Sequence, residues 1–202
     1  MPKATELNKQ LPKNAIYAKF QMNTAERAKI DADISRITIV NEVSPAKINI
    51  AEGEQVKSFF VLLVALKRKD FEEKTIITIS KLIPQNMLLV LECAGEAKLT
   101  TYHTELMQTD WKRKEDLSIE LKGLNMDTVW ENIIVQIGGI TIEQGNTLDE
   151  QIAVDEQRMK IKKEIDRLTK LAKNEKQPKK KFELAQQANV LKKQLTELNK
   201  KD

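Results

Sequence analysis

The spacing of apolar positions changes along this chain, and each change marks an element. Residues 1–22 are mostly polar, with Pro2 and Pro12 as breakers, and a short segment, Lys13–Phe20, presents Ile16, Tyr17 and Phe20 to a core. Asn23-Thr-Ala-Glu26 has the form of a capping box. Ile30, Ile34 and Ile37 then recur at helical spacing, which predicts a first helix from about Thr24 to Val40, stopped by Ser44-Pro45. Lys47–Ile50 reads as a short extended piece. Val56–Leu66 reads as a strand apolar on both faces, which places it at the centre of a sheet. Phe71–Ile83 fits a helix through Ile76, Ile79 and Ile83, although its β-branched density also fits a strand. A helix there makes a βαβ crossover to the next strand, Met87–Glu92. Ala94-Gly95-Glu96 turns the chain into Lys98–Glu105, whose alternation predicts a half-exposed hairpin strand. Leu117–Leu121 reads as a short edge strand. Asp127 is placed to cap a helix carrying Val129, Ile133, Ile134 and Ile137 that stops at Gly138-Gly139.

From about Leu148 the period settles. Ile161, Ile165, Leu168 and Ala172 step by four, three and four; after Pro178, Leu184, Ala188, Leu191, Leu195 and Leu198 continue in the same rhythm. This is an a/d seam, and two such helices around a short proline-containing turn predict an antiparallel pair. The fold class is therefore α+β, or α/β. A small mixed β-sheet body with flanking helices occupies residues 1–145, and a basic amphipathic helical hairpin occupies 146–202.

Charge separates these two parts. From Glu156 onward there are fifteen Lys or Arg and seven Asp or Glu, a net +8, while the rest of the chain carries −4. Lys170, Lys173, Lys176, Lys179, Lys180 and Lys181 fall within twelve residues around the turn, with Glu175 the one acid among them. A compact cationic knob of this kind neutralises phosphates and releases counterions; the plainer reading is a solvated surface that keeps the protein soluble. The seam residues Leu184, Leu191, Leu195 and Leu198 are candidates for docking a larger protein or for a homodimer, against the plainer reading that the two helices only cover each other.

Other classes of function find little in the chain. Cys93 is the single cysteine, which excludes an internal disulfide framework and a multi-cysteine zinc site and fits a reducing cytoplasm. The N-terminus shows no secretory pattern, and the longest apolar run, Phe59–Leu66, is too short to cross a bilayer, so no membrane partner is expected. No glycine-rich phosphate loop is present, and no cofactor or metal is expected. Glu96-Ala97-Lys98 has the Glu-x-Lys spacing of restriction-type nucleases, with Glu92 and Asp70 as further carboxylates. Three-residue patterns recur by chance, and Glu96 falls in a turn. His103 is the only histidine and builds no triad beyond a pairing with Cys93 across the hairpin, better read as packing. Trp111 with Lys112-Arg113-Lys114 forms a second small basic patch, where a tryptophan more commonly anchors a loop than stacks on a base.

Several stretches, in order, resemble an uncharacterised bacterial family, the domain of unknown function 4391. They are Ser44-Pro-Ala-Lys-Ile-Asn-Ile50, Ile83-Pro84 ahead of Met87–Leu91, and Glu175-Lys-Gln177 followed by Lys181-Phe-Glu-Leu184. Ala185 stands where an asparagine follows in the family. The resemblance implies a companion of DNA helicases or methyltransferases in restriction-type or phage-defence gene clusters, and it supplies no catalytic residues. The expected function is a non-catalytic accessory subunit that docks such a partner and touches nucleic acid through the lysine turn. A metal-dependent nuclease and a structural homodimer are the alternatives.

Overall fold

A computed structural model describes residues 1–199. The chain divides into two units, Met1–Gly139 and a second beginning at Ile140, slightly ahead of the boundary expected near residue 145.

The first unit is built on a mixed sheet of order β1-β2-β3-β4-β5-β6. Its strands are β1 (Glu6–Leu11), β2 (Ile34–Val43), β3 (Phe59–Leu66), β4 (Asn86–Cys93), β5 (Glu96–Tyr102) and β6 (Leu106–Gln108). A seventh strand, β7 (Lys112–Arg113), pairs with β5. As the doubly apolar pattern requires, β3 is central: it runs antiparallel to β2 and parallel to β4. The parallel pair is joined through α4 (Glu73–Ser80), the expected crossover. Pleating sends Leu62, Val64 and Leu66 to one side with Leu89 and Leu91 of β4. There they meet Ile16 and Tyr17 of α1 (Lys13–Lys19), Ile30 of α2 (Thr24–Asp33), and Ile76 and Ile79 of α4.

On the opposite side, Phe59 packs against Trp130 of α5 (Met126–Gly138) with ring centroids 5.1 Å apart. Val61, Leu63, Leu88, Val90 and Leu99 line an open groove of about 530 Å3 beside Leu117 and Ile119. Gly139, with φ +61°, closes α5 in the left-handed conformation.

Several expectations are corrected. The first helix stops at Asp33, and Ile34–Val43 is β2. Ile34 and Ile37 keep the helical step of Ile30, while Ile37 and Ile39 alternate as in a strand, and pairing decides: Ile37 lies opposite Val64 and Thr38 opposite Leu63, a register irregularity between Ile34 and Arg36 lets Ile34 reach the same core, and β2 covers the flank of β3. Lys47–Ile50, expected as an extended piece, instead completes a single helical turn, α3 (Pro45–Ile48), with Pro45 at its first position and Asn49 left-handed at its end. Leu117–Leu121 is not a strand. Side chains of α5 hold it instead of a neighbouring strand: the Gln136 amide bonds both the N–H and the C=O of Glu120, and just past the segment Asn132 donates to the Lys122 carbonyl. Finally, β5 is not half-exposed. Ala97 through Thr101 are buried, because β5 touches α4 on one face and α5 on the other.

The helix expected to be capped by Asp127 is capped by Asn125, whose Oδ1 accepts from the Thr128 N–H. Asp127, two residues further in, instead gathers the N–H groups of Val56, Glu54 and Gln55 at 2.7, 2.6 and 3.1 Å. These donors hold its carboxyl below the usual range. A Cβ at Gly53 would fall 2.4 Å from that carboxylate, so the loop needs glycine there.

In the second unit, α6 (Leu148–Asn174) opens with a capping box of Thr147 and Glu150. A three-residue turn leads to α7 (Pro178–Leu198), with Pro178 at its first position. Ile165, Leu168, Ala172 and Ala188 are buried along the seam, so the two helices pack as an antiparallel pair.

Candidate nucleic-acid interface

The hairpin is held in shape at its base. The Arg158 guanidinium, only 13% exposed, pairs with Glu143 and donates to the Leu198 carbonyl at 2.9 Å. A cation thereby meets the last turn of α7, where free carbonyls carry partial negative charge. Gln151 is 1% exposed, and its Oε1 accepts from the Glu143 N–H and the Asn146 amide, both at 3.0 Å. These bonds bind residues 140–147 to α6, which is why the unit begins before the helix does. Neither residue stood out in the sequence, because each looks like an ordinary polar position of an amphipathic helix.

The far end carries the charge. All six candidate lysines, Lys170, Lys173, Lys176, Lys179, Lys180 and Lys181, are exposed. Among the described residues none of their ammonium groups lies within ion-pair distance of a carboxylate. Glu175 is engaged locally: the Gln177 N–H, then the Lys176 N–H and the Lys180 charge, hold its carboxyl below the usual range. It therefore stays ionised and offsets one of the six positive charges.

The candidate docking residues Leu184, Leu191, Leu195 and Leu198 face the seam and are half-buried within the hairpin. The apolar side chains exposed on the outside of the two helices are Met159 (57%), Leu171 (44%), Phe182 (70%) and Val190 (51%). Leu171 and Leu184 border a shallow cleft of about 400 Å3 near the tip.

In the first unit, the nuclease-like residues are not brought to one place. Glu92 lies opposite Ala97 in the β4–β5 ladder, while Lys98 lies opposite Leu91 and Glu96 opposite Cys93. Glu96 and Lys98 therefore share one face of the sheet, and Glu92 points to the other. Each is also occupied. Glu92 pairs with Lys114 at 3.1 Å, and Glu96 pairs with Lys69. Lys98, 9% exposed, holds its ammonium 5.2 Å from the ring centroids of both Phe71 and Trp111. Burial pushes its pKa below the ordinary 10.5, against the pull of Glu73 and Asp110.

Trp111 packs on the core cluster and lies 5.4 Å from the Lys69 ammonium, the anchoring role expected of it. Cys93 is buried and lies opposite Glu96, whereas His103 follows the far end of β5. The two do not face each other. Among the described residues no three His, Cys, Asp or Glu side chains are grouped to hold a metal ion. Among the described residues no helix is long and apolar enough to cross a membrane.

A mixed-sheet body followed by a lysine-tipped helical hairpin is the class these observations define. The family described as "Domain of unknown function (DUF4391)" matches residues 1–195, so the chain belongs to that family and both units lie within the match. No curated protein and no solved structure matches the chain.

Proposed function

We propose that this protein is a non-catalytic accessory subunit of a bacterial DNA-defence or restriction-type assembly. Its hairpin docks a larger helicase or methyltransferase, and its tip contacts nucleic acid. The observation that carries the nucleic-acid role is the set of six exposed lysines, none in an ion pair among the described residues, displayed at the end of a hairpin whose base is fixed by Arg158 and Gln151. A rigid mount lowers the ordering cost of contact. Phosphate contacts of this kind give affinity and position without sequence readout. The family resemblance supplies the defence setting, and the half-exposed seam edges with Leu171 and Val190 supply the docking surface.

The nuclease alternative has weaker support, since Glu92 is turned away from Glu96 and Lys98 and all three are engaged. Binding of labelled duplex DNA at two salt concentrations tests the proposal. It should fall as salt rises, and should collapse when Lys176, Lys179, Lys180 and Lys181 are all replaced by Ala; unchanged binding in that variant rejects the tip. Magnesium-dependent cleavage lost in Glu96→Ala would establish the enzyme instead. Affinity capture of the full chain from its native cell should bring down a helicase or methyltransferase. A doubled sedimentation mass that vanishes on truncation before Leu148 would favour the homodimer.

A further inference from the structure

The outward face of α7 holds an ordered stripe. Lys179, Phe182, Gln186, Asn189 and Lys193 follow at steps of three, four, three and four, and all five are exposed. At 1.5 Å per residue the stripe runs about 21 Å. Phe182 precedes Leu184 by two residues, about 200° around the helix, so the ring points away from the seam. It is 70% exposed, the most exposed large apolar side chain of the hairpin. Among the described residues no ring or cation stacks on it. The Gln186 and Asn189 amides likewise have no hydrogen-bond partner there, and the Lys179 and Lys193 ammoniums have no ion pair.

We infer that this stripe is a contact line for single-stranded nucleic acid, an inference that rests on the lysine tip serving as a nucleic-acid interface. Phe182 gives an unpaired base a face to stack on. Lys179 and Lys193 hold phosphates on either side, and the two amides bond base edges. Stacking tolerates any base but requires one that is out of the duplex, so the ring discriminates for unpaired strand, whereas lysines alone serve either form. Other occupants fit less well. A helix that docks in a protein groove presents large apolar anchors at i, i+3, i+4 and i+7, and here Phe182 is followed at those steps by Ala185, Gln186 and Asn189, with Lys179 one turn before it. A helix lying on a membrane needs a broad apolar face, and this face has one ring. Single-strand contact is the chemistry of a protein working beside an enzyme that opens duplex.

Full-length protein titrated with a labelled single strand, with the matching duplex, and with phosphatidylserine–phosphatidylcholine vesicles tests this. Phe182→Ala should weaken single-strand binding about 5- to 150-fold, the range that one stacked base supplies. Duplex affinity should change by less than about twofold. Phe182→Trp should restore the single-strand affinity, and an unchanged melting curve for Phe182→Ala should show the fold intact. Unchanged single-strand binding in Phe182→Ala, with the four-lysine variant losing both forms, overturns the stripe and leaves the tip standing. Equal losses on strand and duplex also overturn it, as does a loss confined to vesicles. If the wild type binds neither nucleic acid, the tip and the stripe fall together.

Discussion

The strand ends of the body and the tip of the hairpin both collect charged side chains, and they use them in opposite ways. Around β3, β4 and β5 the charges are consumed by the fold: Glu92 by Lys114, Glu96 by Lys69, Lys98 by two aromatic rings, Asp33 by Arg68. At the tip six lysines are exposed without ion pairs among the described residues, and one acid stands nearby. The contrast shows why counting charged residues misleads. The Glu-x-Lys residues are engaged by neighbours within the fold, whereas the lysines on the braced hairpin carry no ion pair among the described residues.

Mutations that strike the two regions should separate along this line. The largest stability loss is expected at the seam that supports the tip. Leu168→Ala, at a position 4% exposed, should cost about 3 kcal/mol, read as faster hydrogen exchange across α6 and α7 in the full chain. Asp33→Ala comes next. Asp33 is 2% exposed, bonds Arg68 at 2.6 Å and accepts from the Glu72 N–H at 2.9 Å; its loss should cost about 2 kcal/mol, visible in urea unfolding.

Burial pushes the Asp33 carboxyl up, but the Glu72 N–H and then the Arg68 hydrogen bond and charge outweigh it, leaving its pKa below 3.8. Its contribution is therefore present above the unfolded-state value and is lost as pH falls through the lower folded value. The Ala variant should lack that part of the acid dependence.

Lys98→Met should be smaller still, neutral to about 1 kcal/mol stabilising, because it removes a desolvated charge while keeping an apolar stem. With the folded pKa lowered, the unfolded chain binds the extra proton, so wild-type stability rises with pH from the folded value toward 10.5. The variant should lose that rise. Smallest of all, replacing any one tip lysine with Ala should alter stability by less than about 0.5 kcal/mol.

Much of this was legible in the sequence. The doubly apolar β3, the crossover to β4, and the leucine rhythm of the hairpin are dense local signals, and the folded chain follows them. What failed were stretches whose residues satisfy two patterns at once. Ile34 and Ile37 keep a helical step while Ile37 and Ile39 alternate as in a strand, and only the open edge of β3, distant in sequence, chooses between them. Leu117–Leu121 alternates like a strand but is bonded by Gln136, and just past its end by Asn132, partners no local pattern announces.

At the candidate site, the lysines were legible because charge clustering is a property of sequence. The bracing by Arg158 and Gln151 was not, since its meaning depends on where Glu143 and Leu198 come to lie. The orientation of Phe182 was implicit in its offset from Leu184, but a single ring among lysines gains meaning only once the helix fixes which way it points.

The central claim is that the tip, and not positive charge in general, binds nucleic acid. The most direct test compares the salt dependence of duplex binding for three full-length proteins: wild type, the Lys176, Lys179, Lys180 and Lys181 to Ala variant, and a control in which exposed body cations Lys3, Lys9, Arg36 and Lys112 become Ala. The two variants lose the same formal charge. The tip variant should flatten the slope of log affinity against log salt by about 3 to 4, near 0.9 per lost phosphate contact, while the body control keeps the wild-type slope. A tip variant with the wild-type slope, or a body control that loses as much, would contradict the account.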